Sequence, residues 1–162
     1  MVFQSFAAGG YTTTDFLTNH WNAGPLFRAL GFHAAVLHFG ASDAGRGTTA
    51  EDYQSHTEQL IAMLRSWMGD SSFPIVLMSD PYRTGLSAAA QNEFDRYVGA
   101  HYAIAQTDPN VLVINSRRLM DDRGWNAANP DTIAAVLLDE MHYTPQGAID
   151  LAAAEVSALL GP

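Results

Sequence analysis

The chain has no cysteine, which removes disulfides, thiol nucleophiles and cysteine metal ligands from consideration. That absence does not reveal the compartment. Positive charge is also scarce: 8 basic residues stand against 17 acidic ones, for a formal net charge of −9. The basic residues are scattered, with Arg117-Arg118 the one adjacent pair. Nucleic acid and anionic membrane both call for clustered basic groups, so neither is an expected partner, and small or neutral substrates fit better. Long apolar runs are missing too. No stretch approaches the ~20 residues of a membrane-spanning helix. Residues 1–20 lack the charged and apolar regions of a signal peptide. Localisation therefore stays open between a cytoplasmic chain and one whose longer precursor carried a targeting segment. No H-E-x-x-H or similar spacing occurs, and Gly9-Gly10 is not a phosphate-binding fingerprint, so no metal and no cofactor is expected.

What is present is a globular composition: 162 residues, 48% apolar and 15% charged. Without a linker, repeat or low-complexity segment, residues 1–162 read as a single domain with one core. Four short apolar runs read as strands: 2–8, 34–39, 74–78 and 111–114. Between them lie amphipathic segments with helix signals. Thr12-Thr13-Thr14-Asp15 offers caps for a helix carrying Phe16, Leu17 and Trp21. Thr48 with Glu51 forms a capping box ahead of Tyr53, Leu60, Ile61, Leu64 and Trp67. Ser87 caps a helix with Phe94, Tyr97, Val98, His101 and Tyr102 on one face. Residues 116–133 form the longest irregular stretch. The last helix, 145–160, is expected to bury Ile149, Ala152, Val156 and Leu159. Strands without strict alternation, each followed by a helix, predict an α/β three-layer sandwich with a mostly parallel sheet.

In such folds ligands collect where strands end at their carboxyl edge. Those ends are Gly9-Gly10, Gly40-Ala41-Ser42-Asp43, Ser79-Asp80-Pro81 and the stretch Asp139-Glu140-Met141-His142. The last puts a carboxylate three residues before an imidazole, just ahead of a helix that Thr144 can cap and Pro145 can open. With Asp139 holding one ring nitrogen of His142, the other is free to take a proton from a nucleophile. The same spacing arises by chance in a chain with 17 acids and 6 histidines, where it marks a surface turn. His20, His33, His56 and His101 read as surface or helix-packing residues, and His38 as pointing by strand parity into a helix layer. Trp125 and Tyr82-Arg83 lie on loops that can border a cleft or serve structure alone.

Three stretches together resemble the SGNH (GDSL-type) hydrolases, serine esterases and lipases on a flavodoxin-like sandwich. Asp139-Glu140-Met141-His142, with Pro145 and Gly147 following, resembles the family's D-x-x-H block. Leu37-His38-Phe39-Gly40-Ala41-Ser42-Asp43 is similar to its G-x-N-D block, and Gly9-Gly10-Tyr11-Thr12-Thr13-Thr14-Asp15-Phe16-Leu17 to its glycine block. The resemblance implies an ester hydrolase acting on a small-molecule ester. In it Asp139 orients the base and His142 is general base and then acid. Gly10 (less readily Gly9) and Ser42 would serve the oxyanion hole. Ser42 stands where the family has asparagine, and losing one such donor typically costs roughly 10²–10³ in rate.

The family's nucleophile lies in a Gly-Asp-Ser block that this sequence does not contain. Three explanations stay open. The chain is the C-terminal part of a longer hydrolase, incomplete at the N-terminus, with a missing fragment or a partner chain completing the sheet and bringing the serine. Alternatively Ser5, in Ser5-Phe6-Ala7-Ala8-Gly9, is the nucleophile and its strand lies beside 34–39. Least in keeping with the fold, Ser42 in Gly40-Ala41-Ser42-Asp43-Ala44 is the nucleophile of another hydrolase type. The rival from a different class is a binding or structural module that keeps the fold without catalysis.

Overall fold

The computed structural model describes residues 6, 9–20, 22–80, 87–125 and 144–160. Three strands, β1 (Ala35–His38), β2 (Ile75–Met78) and β3 (Val111–Ile114), form a parallel sheet in the order β1-β2-β3. Ala35 pairs with Ile75 and Ile75 with Val111, so equivalent positions line up across all three strands. These are the runs the sequence marks as strands. The strand expected over 2–8 falls outside the described residues except for Phe6, whose ring stacks on Phe27 at 4.5 Å.

One face of the sheet carries Ala35 and Leu37, Ile75 and Leu77, and Val111; it is the floor of the main core. Over it lies α4 (Ala50–Met68), which inserts Leu60, Ile61, Leu64 and Trp67 at helical spacing. Ile104 of α5 (Ala88–Thr107), Phe16 of α1 (Thr13–Asn19) and Phe27 of α2 (Gly24–Leu30) close the same core. Two βαβ crossovers, through α4 and α5, account for the parallel pairing. On the opposite face Val36 and Leu112, 50% and 56% exposed, flank the buried Val76 in register.

Local signals explain most helix ends. Thr12 and Asp15 form a reciprocal capping box at α1, and α2 and α4 end on Gly31 and Gly69 in the left-handed conformation. The α4 cap, however, is Thr49, whose hydroxyl accepts from the Asp52 N–H at 3.1 Å, not Thr48 with Glu51. Thr48 is held in the preceding turn: its N–H donates to the Asp43 carbonyl, and its own carbonyl accepts from the Tyr97 hydroxyl. The stretch after β3 is not irregular throughout. It holds α6 (Ser116–Asp121), capped by the Asn115 side chain accepting from the Arg118 N–H.

The last helix, α7 (Pro145–Leu160), packs against α6 and β3. Thr144 caps it, accepting from the Gly147 N–H at 3.0 Å. Among its described residues Gly147, Leu151 and Ala154 are buried, whereas Ile149 and Val156 stand 62% and 51% exposed and Ala152 is exposed as well. The expected burial of the Ile149 face is thereby corrected. The flatter, smaller-residue side permits the closer approach, and the Ser116 hydroxyl donates to Glu155 across the contact at 2.6 Å. The Leu159 side chain lies outside the described residues.

Candidate active site

β1 delivers the chain to the carboxyl edge of the sheet at His38, and Gly40 turns it sharply. Its φ of +137° is a value L side chains rarely adopt, and a Cβ there would sit 3.1 Å from Oδ2 of Asp80. The turn opens α3 (Ala41–Gly45), which carries Ser42 and Asp43. Asp43 is fully buried and reaches across to the start of α1. It accepts from the Thr13 N–H at 3.1 Å and the Thr13 hydroxyl at 2.6 Å. Burial raises its pKa from the usual carboxylate value, with the Thr13 hydrogen bonds opposing that rise.

Thr13 lies three residues beyond the turn at Gly9-Gly10, where Gly10 has φ of +78°. A second tie joins the same loops from the solvent side. Arg46, just after α3, donates to the Gly10 carbonyl at 2.9 Å and pairs with Asp15 at 2.8 Å. The backbone N–H and the hydroxyl of Thr12 hold the Asp15 pKa below the usual value, with Arg46 adding to the effect. The Gly10 loop and the Ser42 turn are thus fastened together, once inside and once outside. Ser42 is half-buried, and its hydroxyl makes no hydrogen bond among the described residues.

His56 on α4 approaches this clamp, with Nδ1 3.3 Å from the Thr13 hydroxyl and 3.2 Å from that of Thr14. Because Thr13 gives its one hydroxyl proton to Asp43, its contact needs His56 as the donor, whereas the Thr14 hydroxyl can either donate to Nδ1 or accept from it. Behind Gly40, the Tyr53 hydroxyl donates to the Phe39 carbonyl at 3.0 Å and lies 2.9 Å from Nε2 of His101. The Tyr53 ring stacks on Tyr97 at 4.1 Å.

His38 does not enter a helix layer. Its side chain is 45% exposed and pairs with Asp80, at the end of β2, at 3.2 Å. By parity it shares the sheet face of Val36, the less covered one, which is why the packing expectation fails for it. Sequence reasoning gave no role to Asp43, Thr13, Arg46 or the His38–Asp80 pair, although Asp43 and Asp80 stand in strand ends it singled out. Asp43 had a signal, its place in the G-x-N-D-like block. Asp139, His142 and Ser5 lie outside the described residues, as do Tyr82 and Arg83. Among the described residues no group of three acidic or histidine side chains converges as a metal site. No helix there is long and apolar enough to cross a membrane.

No protein-family model and no curated protein sequence matches the chain. Solved structures do. The acetylxylan esterase Axe2 from Geobacillus stearothermophilus superposes with a TM-score of 0.70 at 16% identity, over 94% of this chain and 69% of that one. A protein described as a GDSL-like lipase from Parabacteroides merdae gives 0.69 at 16% identity, covering 92% and 68%. An α/β hydrolase from the metagenome of Lake Arreo, Spain, gives 0.68 at 17%, covering 92% and 67%. At these identities the likeness is one of fold: the chain has the α/β architecture of the SGNH/GDSL-type hydrolases.

Proposed function

We propose that this chain, built on the SGNH-hydrolase fold, is a carboxylic ester hydrolase or the part of one that carries its acid–base pair and oxyanion site. In this reading Asp139 orients His142, and His142 takes the proton of a serine hydroxyl as it attacks the ester carbonyl. The Gly10 N–H and the Ser42 hydroxyl hydrogen-bond the oxyanion that forms. His142 then gives its proton to the departing alcohol, and water releases the acid by the same steps in reverse roles. The substrate is a small-molecule ester.

The observation that carries the reading is the double fastening of the Gly10 loop to the Ser42 turn at the carboxyl end of β1. The glycine turn at Gly9-Gly10, held against the glycine-bearing end of β1, supports a preformed place for developing negative charge. The fold likeness adds to it. In Axe2, catalytic mutants replace a serine, an aspartate and a histidine, the last two three positions apart, as Asp139 and His142 are.

The nucleophile is either Ser5 or a serine from outside residues 1–162, in the same polypeptide or a partner chain. The second source is favoured by the half-exposed Val36 and Leu112, which offer a further layer an apolar seat on the sheet. A nitrophenyl acetate assay with a fluorophosphonate probe tests both. An active preparation should lose several orders of magnitude in rate on His142→Ala. Stoichiometric labelling at Ser5, abolished by Ser5→Ala, would assign the nucleophile to this chain. Activity indifferent to His142→Ala would overturn the reading, and a folded full-length protein with no turnover would favour a binding module.

A further inference from the structure

We propose that Asp43 is a positioning residue of the oxyanion site, acting through Thr13 to fix the direction in which the Gly10 N–H points. This rests on the ester-hydrolase reading for its purpose, but the coupling of Asp43 to the Gly10 loop is a physical claim of its own.

The geometry is specific. Asp43 is 0% exposed, so its carboxylate is cut off from bulk solvent and relies on Thr13 together with its own backbone N–H. Thr13 supplies two donors, its N–H to both carboxylate oxygens (3.1 and 3.3 Å) and its hydroxyl to one (2.6 Å). The Asp43 carboxylate cannot rotate away without breaking both. Only Tyr11 and Thr12 separate Thr13 from Gly10, and Thr12 is itself locked by its reciprocal bonds with Asp15. The constraint therefore passes along three residues to the glycine.

Gly10 needs such a constraint. With φ of +78° and nothing within 4 Å of a Cβ built on it, neither its own sterics nor side-chain packing holds it. Asp43 also sits one residue after Ser42, on the short helix α3, so one carboxylate references both oxyanion donors to each other. Arg46 repeats the tie from outside, but through an exposed guanidinium on the Gly10 carbonyl, which is open to competition from water. The buried tie is the one expected to dominate. His56 Nδ1 lies 3.3 Å from the Thr13 hydroxyl and 3.2 Å from the Thr14 hydroxyl, beside the same tie.

The test needs no turnover for its first arm. In the isotopically labelled protein, Asp43→Asn keeps the shape but turns an amide N–H₂ toward the Thr13 N–H. Thr13→Val keeps the shape but removes the hydroxyl. Either should raise Thr13 amide exchange at least tenfold and shift the Gly10 amide resonance, leaving Leu60 and Leu77 amides as in the parent. Thr13→Ser, which retains the hydroxyl, should restore the parent behaviour. In the active preparation the same variants should lower kcat by tenfold or more with KM little changed, and Thr13→Ser should recover it. An unmoved Gly10 resonance in both variants would overturn the proposal, as would exchange rising equally throughout the fold. Absence of turnover in the parent, with the exchange pattern as expected, would instead count against the hydrolase reading alone.

Discussion

His101 is the residue whose chemistry is most constrained by where it sits. It is buried between α4 and α5, and its pKa is lowered to about 4, chiefly by that burial, with Asp80 opposing and His38 adding. The folded state thus keeps it neutral while the unfolded chain protonates it near 6.5, so the unfolded state binds the extra proton between those values. Its contribution to stability is complete above pH 6.5 and falls by roughly 3 kcal/mol as pH drops through 4. Urea unfolding of the parent and of His101→Gln across this window checks it. The stability gap should shift against the parent as acid is added, and parallel curves would contradict the assignment. At this scale the sequence is least legible. Asp43 stands in the G-x-N-D-like block, but its burial depends on Thr13 thirty residues away, and nothing local marks that partner. His38 fails for a similar reason: strand parity names a face, not whether a layer covers it.

Elements were easier to read because their signals are local. All three described strands fall inside apolar runs, and the α1 and α7 caps are the threonines the sequence offers. Where α4 begins one residue late, the competing partners of Thr48 are again distant in sequence, Asp43 and Tyr97. The face of α7 was not legible, since apolar residues run around most of that helix and give no single stripe. Two substitutions test these element contacts. Gly24→Ala places a methyl group 2.6 Å from Cδ1 of Trp67 and should destabilise by about 1–3 kcal/mol, read as a lowered thermal midpoint. Thr144→Ala removes the α7 cap and should cost about 1 kcal/mol, with Thr144→Ser close to the parent.

The whole molecule has two unlike sheet faces, and substitution should tell them apart. Leu77→Ala, in the core, should cost about 2–5 kcal/mol, while Leu112→Gln, half exposed, should stay within about 0.5 kcal/mol in this chain. Urea midpoints measure both. A Leu112→Gln loss as large as that of Leu77→Ala would mean that the opposite face is packed after all. The strand order has a further consequence, for the time course of assembly. Among the described strands, neighbours in the sheet are also neighbours in the chain, so none of the three has to be inserted between the other two. Pairing Ala35 with Ile75 and Ile75 with Val111 closes two loops of about 40 residues, whose entropic costs differ by only about 0.1 kcal/mol. Chain entropy therefore gives neither crossover a head start. Which half of the sheet nucleates is left to the helices, and α4, with both ends capped and four large core side chains, is placed to lead.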